Sequence, residues 1–408
     1  MNRNFGWITT LVLVVMIVLS GCRNGDTVTE VPSTETAAPT IAPIEIVGPS
    51  EPAVCEAMPL PSLPVFPVSE DDWFKGADPA EAEVIIFEYS DFQCPGCAGV
   101  VPILNQFLAD NPTVSLVYRH FPLSFHDRAM VTSEAAEAAG AQGMFWEMHD
   151  LLFVRQAEWG ASTVTPEQAR ALMSEYAEQL GLDLAQFDRD MDEHTYEAKI
   201  QMQLLESQEL MLSGTPSFIF NDVPFPSQQL GLSYAALESF YNLMSLQSRQ
   251  YMEIPEGIMD TAGREGQALL RTTQGDIVIE LLPEAAPTHV NSFIFLAEAG
   301  WYEGSPFFFV LEDYVALGGD PSGSSIGYPG YYCYGEMENA FDRPGLVGML
   351  SNGQFFITLG ADAAELSGQF PLIGQVVEGL DVLYALAQRS PGDPMAPEPD
   401  ILLSVDIQ

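Results

Sequence analysis

Positive charge is scarce in this chain. Against 57 aspartates and glutamates stand 14 lysines and arginines, only two of them lysines (Lys75 and Lys199), and the balance is −43 at neutral pH. A field of that sign repels phosphate backbones, so the expectation is no nucleic acid partner. Cysteine is sparse as well, with five in the chain. Neither a second cysteine pair nor a Cys/His cluster accompanies Cys94-Pro95-Gly96-Cys97, so no complete metal-ligand set is legible and no metal or cofactor is expected. The N-terminal apolar run, Trp7 to Leu19, falls short of the ~20 residues that a bilayer-spanning helix needs. Apolar material itself is plentiful: 47% of 408 residues are hydrophobic. That excludes global disorder and fills two or three domains of roughly 150 residues each.

Residues 1–21, with Arg3 ahead of the apolar run, read as an export signal. The sequence Leu19-Ser20-Gly21-Cys22 resembles the lipobox of bacterial lipoproteins. That resemblance implies a diacylated Cys22 as the new first residue and a lipid anchor in the cell membrane; an uncleaved or ordinarily cleaved signal with an incidental cysteine is the other reading. In both, the bulk of the chain lies outside the cytoplasm, where disulfides persist. Residues 22–67 are expected to be a disordered tether: Thr, Ser, Glu and Ala dominate, nine prolines lie between Arg23 and Pro67, and no period is sustained. At about 3 Å per extended residue it would hold a folded body on the order of 100 Å from the membrane.

The first globular unit is expected over 68–252. Val84 to Tyr89 is an apolar run broken by one acid, Glu88, as suits a strand covered on both faces. It leads through Ser90-Asp91-Phe92-Gln93 into Cys94-Pro95-Gly96-Cys97. Val100, Val101, Ile103, Leu104, Phe107 and Leu108 then follow at helical spacing. The cysteine pair therefore sits at a strand-to-helix junction, where free N–H groups and the positive end of the helix dipole stabilise a thiolate on Cys94. Cys97, one turn on, can attack a mixed disulfide and release the substrate. Half a zinc site and an inert structural disulfide are the alternatives. Val114 to Tyr118 reads as a second strand and His126 to Leu212 as mostly helix, with Ala135, Ala138, Phe145, Met148 and Leu152 toward its core. His120, His126 and His149 are read as structural or surface groups. Ser213 to Asn221 reads as a turn entering a strand, and Tyr234 to Leu246 as a closing helix.

On these motifs the segment from about Val84 to Met244 resembles thioredoxin-fold proteins of the DsbA type. The stretch Phe87 to Cys97 matches the family's active-site approach, and Gly143 to Phe153 its helical insertion. The resemblance implies that Glu88 is buried beneath the disulfide with a raised pKa and exchanges a proton with Cys97. It also implies that Pro216 is cis, so that Thr215 and Pro216, with Pro95 and Gly96, shape a groove for an extended substrate. The Pro95-Gly96 dipeptide lacks the histidine that DsbA carries, which implies a less oxidising pair.

A linker is expected over 253–263, then a second unit over 264–408. Ala268 to Leu281 reads as two strands around a glycine turn and Pro287 to Leu296 as a helix. With Ala286 to Phe293, Gly318-Gly319-Asp320-Pro321, Gly345 to Leu350, Gln354 to Thr358 and Gly374 to Leu383, this unit resembles cyclophilin-type peptidyl-prolyl isomerases. The resemblance implies a closed antiparallel β-barrel. The fold class is therefore multidomain, an α/β thioredoxin fold with a helical insertion plus that barrel. The family's catalytic arginine falls on Phe309 and a groove glutamine on Leu317, so loss of strong isomerase catalysis is expected, while Phe307 and Phe356 would wall a peptide groove. Cys55 and Cys333 remain: a tether-to-barrel disulfide, two sequestered thiols, or an intermolecular partner for Cys55.

The function expected is a membrane-anchored, extracytoplasmic thiol-disulfide oxidoreductase acting on unfolded or disulfide-containing secreted proteins and served by a membrane redox partner, with an accessory peptide-binding domain. A bifunctional folding factor that retains prolyl isomerisation and a non-enzymatic chaperone or scaffold are the alternatives.

Overall fold

The structure, a computed structural model, describes residues 44–246, 250–251, 266–390 and 395–408. The export segment 1–21, residues 22–43 of the proposed tether, Cys22 included, and the linker 253–263 lie outside the described residues.

The first region is built on strands β2 (Trp73–Gly76), β3 (Val84–Ser90), β4 (Val114–His120), β5 (Ser217–Phe220) and β6 (Val223–Pro224), in the order β2-β4-β3-β5-β6. Only β3 and β4 run parallel. The apolar run of β3 lies at the centre of the sheet because both of its faces are covered. On one face Ile86, Leu116 and Phe220 pack with Val100, Leu104 and Phe107 of helix α1 (Pro95–Asp110). Between β4 and β5 the chain inserts helices α2 (Ala129–Gly140), α3 (Phe145–Val154), α4 (Pro166–Gln179), α5 (Leu184–Asp192) and α6 (Glu197–Glu209). Their core contains Ala135, Ala138, Phe145, Met148 and Leu152, all fully or almost fully buried, around Trp159 and Phe187. Helix α7 (Tyr234–Ser245) ends the region and adds Leu237, Phe240 and Leu243 to the first face.

The other face holds Phe87, Tyr89, Val117 and Ile219. It is covered by Leu63, Val65 and Phe66, which belong to the stretch expected to be a tether, and by Val68 just after it. That expectation is corrected for residues 44–67. Strand β1 (Val54–Ala57) pairs antiparallel with β12 (Tyr331–Tyr334), Cys55 lies opposite Cys333, and the two form a disulfide across 278 residues. The Asn339 amide holds Val47 at both its N–H (2.9 Å) and its carbonyl (2.8 Å). Gly335 has φ +124°, and a Cβ there would come within 3.0 Å of the Ala53 Cα, so close seating of the strap depends on this glycine. Proline-rich composition argued for disorder, but cross-strand pairing and apolar cover supply the ordering free energy that composition cannot reveal.

The second region carries β7 (Gln267–Thr272), β8 (Gly275–Leu281), helix α8 (Pro287–Glu298), β9 (Ser305–Pro306), β10 (Phe309–Val310), β11 (Val315–Gly318), β12, β13 (Leu346–Met349), β14 (Phe355–Thr358), β15 (Leu372–Glu378), helix α9 (Leu380–Ala385) and β16 (Ile401–Ile407). Nine strands form one sheet in the order β10-β11-β14-β13-β15-β8-β7-β16-β9. The expectation of a closed barrel is corrected here: the sheet is a curled half-barrel, with no ladder joining β9 to β10 among the described residues. Both edge strands are two residues long, and Pro306 has no N–H to offer a further neighbour.

Candidate functional site

Cys94 is the N-cap of α1, with Pro95 as the first helical residue. Proline is tolerated there because its missing N–H would have had no intrahelical partner. The loop ahead of the helix is tied down on several sides. Asp91 accepts from the N–H of Gln93 (2.7 Å) and Leu123 (2.8 Å) and pairs with His126 Nδ1 (2.8 Å). Its carbonyl accepts the Cys94 N–H (3.0 Å). The Gln156 amide donates to the carbonyls of Phe92 (2.7 Å) and Cys94 (2.9 Å). None of Asp91, His126 or Gln156 was singled out from the sequence as an organiser of the loop, since the Asp91 bonds to Leu123 and His126 and the Gln156 bonds to Phe92 and Cys94 join residues more than 30 positions apart.

Cys94 and Cys97 are free thiols, 8% and 0% exposed. Cys94 Sγ lies 3.4 Å from the Thr215 carbonyl, and the Thr215-Pro216 bond is cis. Gly96 packs into the same corner: a Cβ on it would meet Pro216 Cδ at 3.4 Å and Cys94 Sγ at 3.6 Å. Cys94, Gly96, Thr215 and Pro216 are thus brought together.

The two sulfurs differ sharply in acidity. A hydrogen bond from the Cys97 thiol, joined by the backbone N–H groups of Cys97 and Gly96 and opposed by burial, lowers Cys94 to about 5. Burial above all, then the neighbouring Cys94 sulfur, holds Cys97 far above the usual thiol range. At neutral pH the outer sulfur is a thiolate and the inner one a thiol, the division of labour that exchange chemistry needs.

Glu88 is 1% exposed, and burial raises its carboxyl to about 7. In the parallel ladder Glu88 stands beside Tyr118 and Ser90 beside His120, so these four side chains share one face. Tyr118 belongs to the same core cluster as Cys97. Burial above all, followed by the charges of Glu88, Cys97 and Asp91, raises its phenol well above the ordinary value. Tyr118 went unnoticed in the sequence because only strand register makes it a neighbour of Glu88.

In the second region the register sets Phe309, Leu317 and Phe356 in one row across β10, β11 and β14. Phe309 is half-buried, while Phe307 and Phe356 are buried, at 1% and 3% exposure. Phe356 is covered by Phe341 at 5.0 Å and Phe370 at 5.3 Å between ring centroids, and Phe307 lies against Gly318. Three arginines of this region have partners elsewhere: Arg271 with Asp406, Arg343 with Asp342, and Arg389 with the Pro397 carbonyl. The Arg389 backbone bridges Val310, so its side chain leaves on the face opposite Phe309.

Residues 72–237 match the thioredoxin family, and residues 268–405 match the family described as cyclophilin type peptidyl-prolyl cis-trans isomerase/CLD. The Na(+)/H(+) antiporter NhaA 1 of Salinispora arenicola is 40% identical over 159 residues, 38% of this chain and 23% of that protein. This chain thus spans about a quarter of the length of the curated antiporters it matches. A thioredoxin-like oxidoreductase from Silicibacter pomeroyi is 28% identical, covering 38% of this chain and 83% of its own with a TM-score of 0.33. A cyclophilin type peptidyl-prolyl cis-trans isomerase from Cryptosporidium parvum is 26% identical, covering 35% and 98% with a TM-score of 0.31. The chain therefore carries a thioredoxin-like region followed by a cyclophilin-like region.

Proposed function

We propose that the protein is an extracytoplasmic, lipid-anchored thiol-disulfide oxidoreductase acting on secreted proteins. The observation that carries the reading is the pair itself: an outer sulfur at a helix N-cap, 3.4 Å from the backbone of a cis-proline loop, above a buried partner sulfur. In the oxidising direction a client thiolate attacks Cys94 of the disulfide form. The client–Cys94 bond forms, the Cys94–Cys97 bond breaks, and the departing Cys97 thiolate takes a proton from Glu88. A second client thiolate then attacks the client sulfur and releases Cys94 as a thiolate. The client loses two electrons and the pair gains them, to be passed to a membrane redox partner. The reverse sequence reduces a client, and the relative potentials set the direction.

The cyclophilin-like domain is an accessory peptide-binding module with weak or no isomerase activity. Isomerisation is helped by a guanidinium that favours the twisted prolyl amide. Here a phenylalanine, Phe309, occupies that position, and Arg271, Arg343 and Arg389, the arginines of the domain among the described residues, have partners elsewhere.

The test is Cys97→Ser in the full chain. Mixed disulfides with unfolded, disulfide-containing clients should accumulate through Cys94. A variant that collects none would mark the protein as a scaffold or chaperone.

A further inference from the structure

The buried face beneath Cys97 is unusually rich in polar atoms that meet no protein partner. Among the described residues these include Glu88 Oε1, Ser90 Oγ, Tyr118 OH, His120 Nδ1 and His149 Nε2. Buried polar groups are normally paired, by protein or by ordered water. Ser90 lies close enough to Glu88, Tyr118 and Cys97 to favour the charged form of each, though its hydroxyl falls short of good hydrogen-bond geometry with any of them.

His149 differs from the rest of this group. Helix α3 packs its ring edge-on to Tyr118 at 5.3 Å and against Phe92 and Phe153, and the side chain is 4% exposed. Its Nε2 is enclosed, whereas its Nδ1 lies 2.8 Å from Asp150 Oδ1, on a side chain that is 44% exposed and 3.9 Å from Lys75 Nζ. One ring thus spans from the polar interior to a solvent-facing carboxylate. His120 offers no such exit: its Nε2 is committed to Glu137, 2% exposed, which is itself closed off by Lys199.

We propose that His149 is a proton-relay residue, connecting Glu88 to solvent through bridging water on the Ser90 and Tyr118 hydroxyls and outward through Asp150. The proposal rests on the oxidoreductase reading. When Cys97 attacks a mixed disulfide, the Cys97 thiol proton passes to the Glu88 carboxylate. From Glu88 it moves over water to His149 Nε2, while the Nδ1 proton leaves by way of Asp150. In the oxidising direction the same protons travel inward to refill Glu88. No electrons move along this path. Burial lowers the His149 pKa, so the ring is neutral at pH 7 and can accept at one nitrogen while it releases at the other. The charged and titratable groups facing it are Asp150 on its own helix, Lys75 from β2, and Tyr118 and His120 from β4.

The test is stopped-flow exchange between the full chain and a fluorescent disulfide peptide, with formation and resolution of the mixed disulfide followed separately from pH 6 to 8. His149→Phe should slow resolution by about tenfold while leaving Cys94 attack and the Cys94 thiolate titration unchanged. In His149→Ala, added imidazole should restore the rate. Asp150→Asn, at a half-exposed position that does not threaten folding, should slow resolution by about threefold with the first step untouched. Unchanged resolution in the folded variants, or equal slowing of both steps, overturns the relay. Failure of Cys97→Ser to trap any client removes the oxidoreductase reading and the relay together; trapping with unaltered resolution in the His149 variants removes the relay alone.

Discussion

In the thioredoxin-like region, atoms of Glu88, Ser90, Tyr118 and His149 are buried without a protein partner near two free thiols, whereas in the cyclophilin-like region the unpartnered buried atoms, among them His289 Nε2 and Gln375 Oε1, have no free thiol beside them and the buried carboxylates are well bonded. Asp320 accepts from the Ser322 N–H (2.8 Å) and hydroxyl (2.6 Å) and from the Gly327 N–H (3.0 Å). Glu336 accepts from the N–H groups of Thr288 (3.0 Å) and His289 (3.2 Å) and pairs with His289 Nδ1 (2.8 Å). Incompletely satisfied polar groups in a low dielectric shift their pKa values toward useful chemistry, while satisfied ones make a rigid frame. What separates the two regions is therefore the pair of free sulfurs set among such atoms, which the second region lacks among the described residues.

The contrast can be tested from its strongest element downward. Cys94→Ala should reduce thiol-disulfide exchange to background in an insulin-reduction or peptide-oxidation assay, with no change in folding; retained exchange would mean that another sulfur is the nucleophile. Next, replacing Cys55 and Cys333 together by alanine should cost about 4 kcal/mol in denaturant stability of the cyclophilin-like region, because the disulfide closes a very long loop in the unfolded chain. Proteolysis should then cut within residues 44–67, while Cys94 exchange rates stay as they were.

Glu88→Gln acts on the first region with the opposite sign. The Glu88 carboxyl is raised from 4.5 to about 7. Between those values the folded chain holds a proton that the unfolded chain has lost, so stability falls as pH rises through the window and levels off above it. The glutamine variant should therefore be more stable by about 3 kcal/mol above pH 7 and no different below pH 4.5. Urea titrations of the reduced protein at several pH values measure this; a pH-independent difference would show that Glu88 titrates normally. The smallest effect belongs to the second region. Phe309→Arg should raise proline isomerisation by the full chain about tenfold from a near-background level. Rapid isomerisation by the unmodified chain would break the contrast from the other side.

Much of the thiol centre was readable along the chain. The apolar run into β3, the Cys94–Cys97 spacing and the helical repeat after Cys97 are local features, and local periodicity reports local structure. The proline at the mouth of β5 was readable only through its family resemblance. Other features had no local trace. Proline content argued for a featureless tether up to Pro67, yet the strap finds a strand partner some 280 residues away and an apolar face to cover. The row formed by Phe309, Leu317 and Phe356 depends on register, and the cover over Phe356 comes from Phe341 and Phe370. His149 read as a structural or surface group because nothing beside it in the chain shows that its two nitrogens face different media.

The sequence by itself determined that Cys94 would cap a helix with Cys97 one turn on and free N–H groups near its sulfur, since the helix terminus follows from the residues that form that helix. Tertiary structure alone decided what lies beneath the second sulfur, which strap covers the sheet, and whether the curled sheet closes. Those depend on pairings between residues tens to hundreds of positions apart, and strand register and packing, which no local pattern encodes, select them.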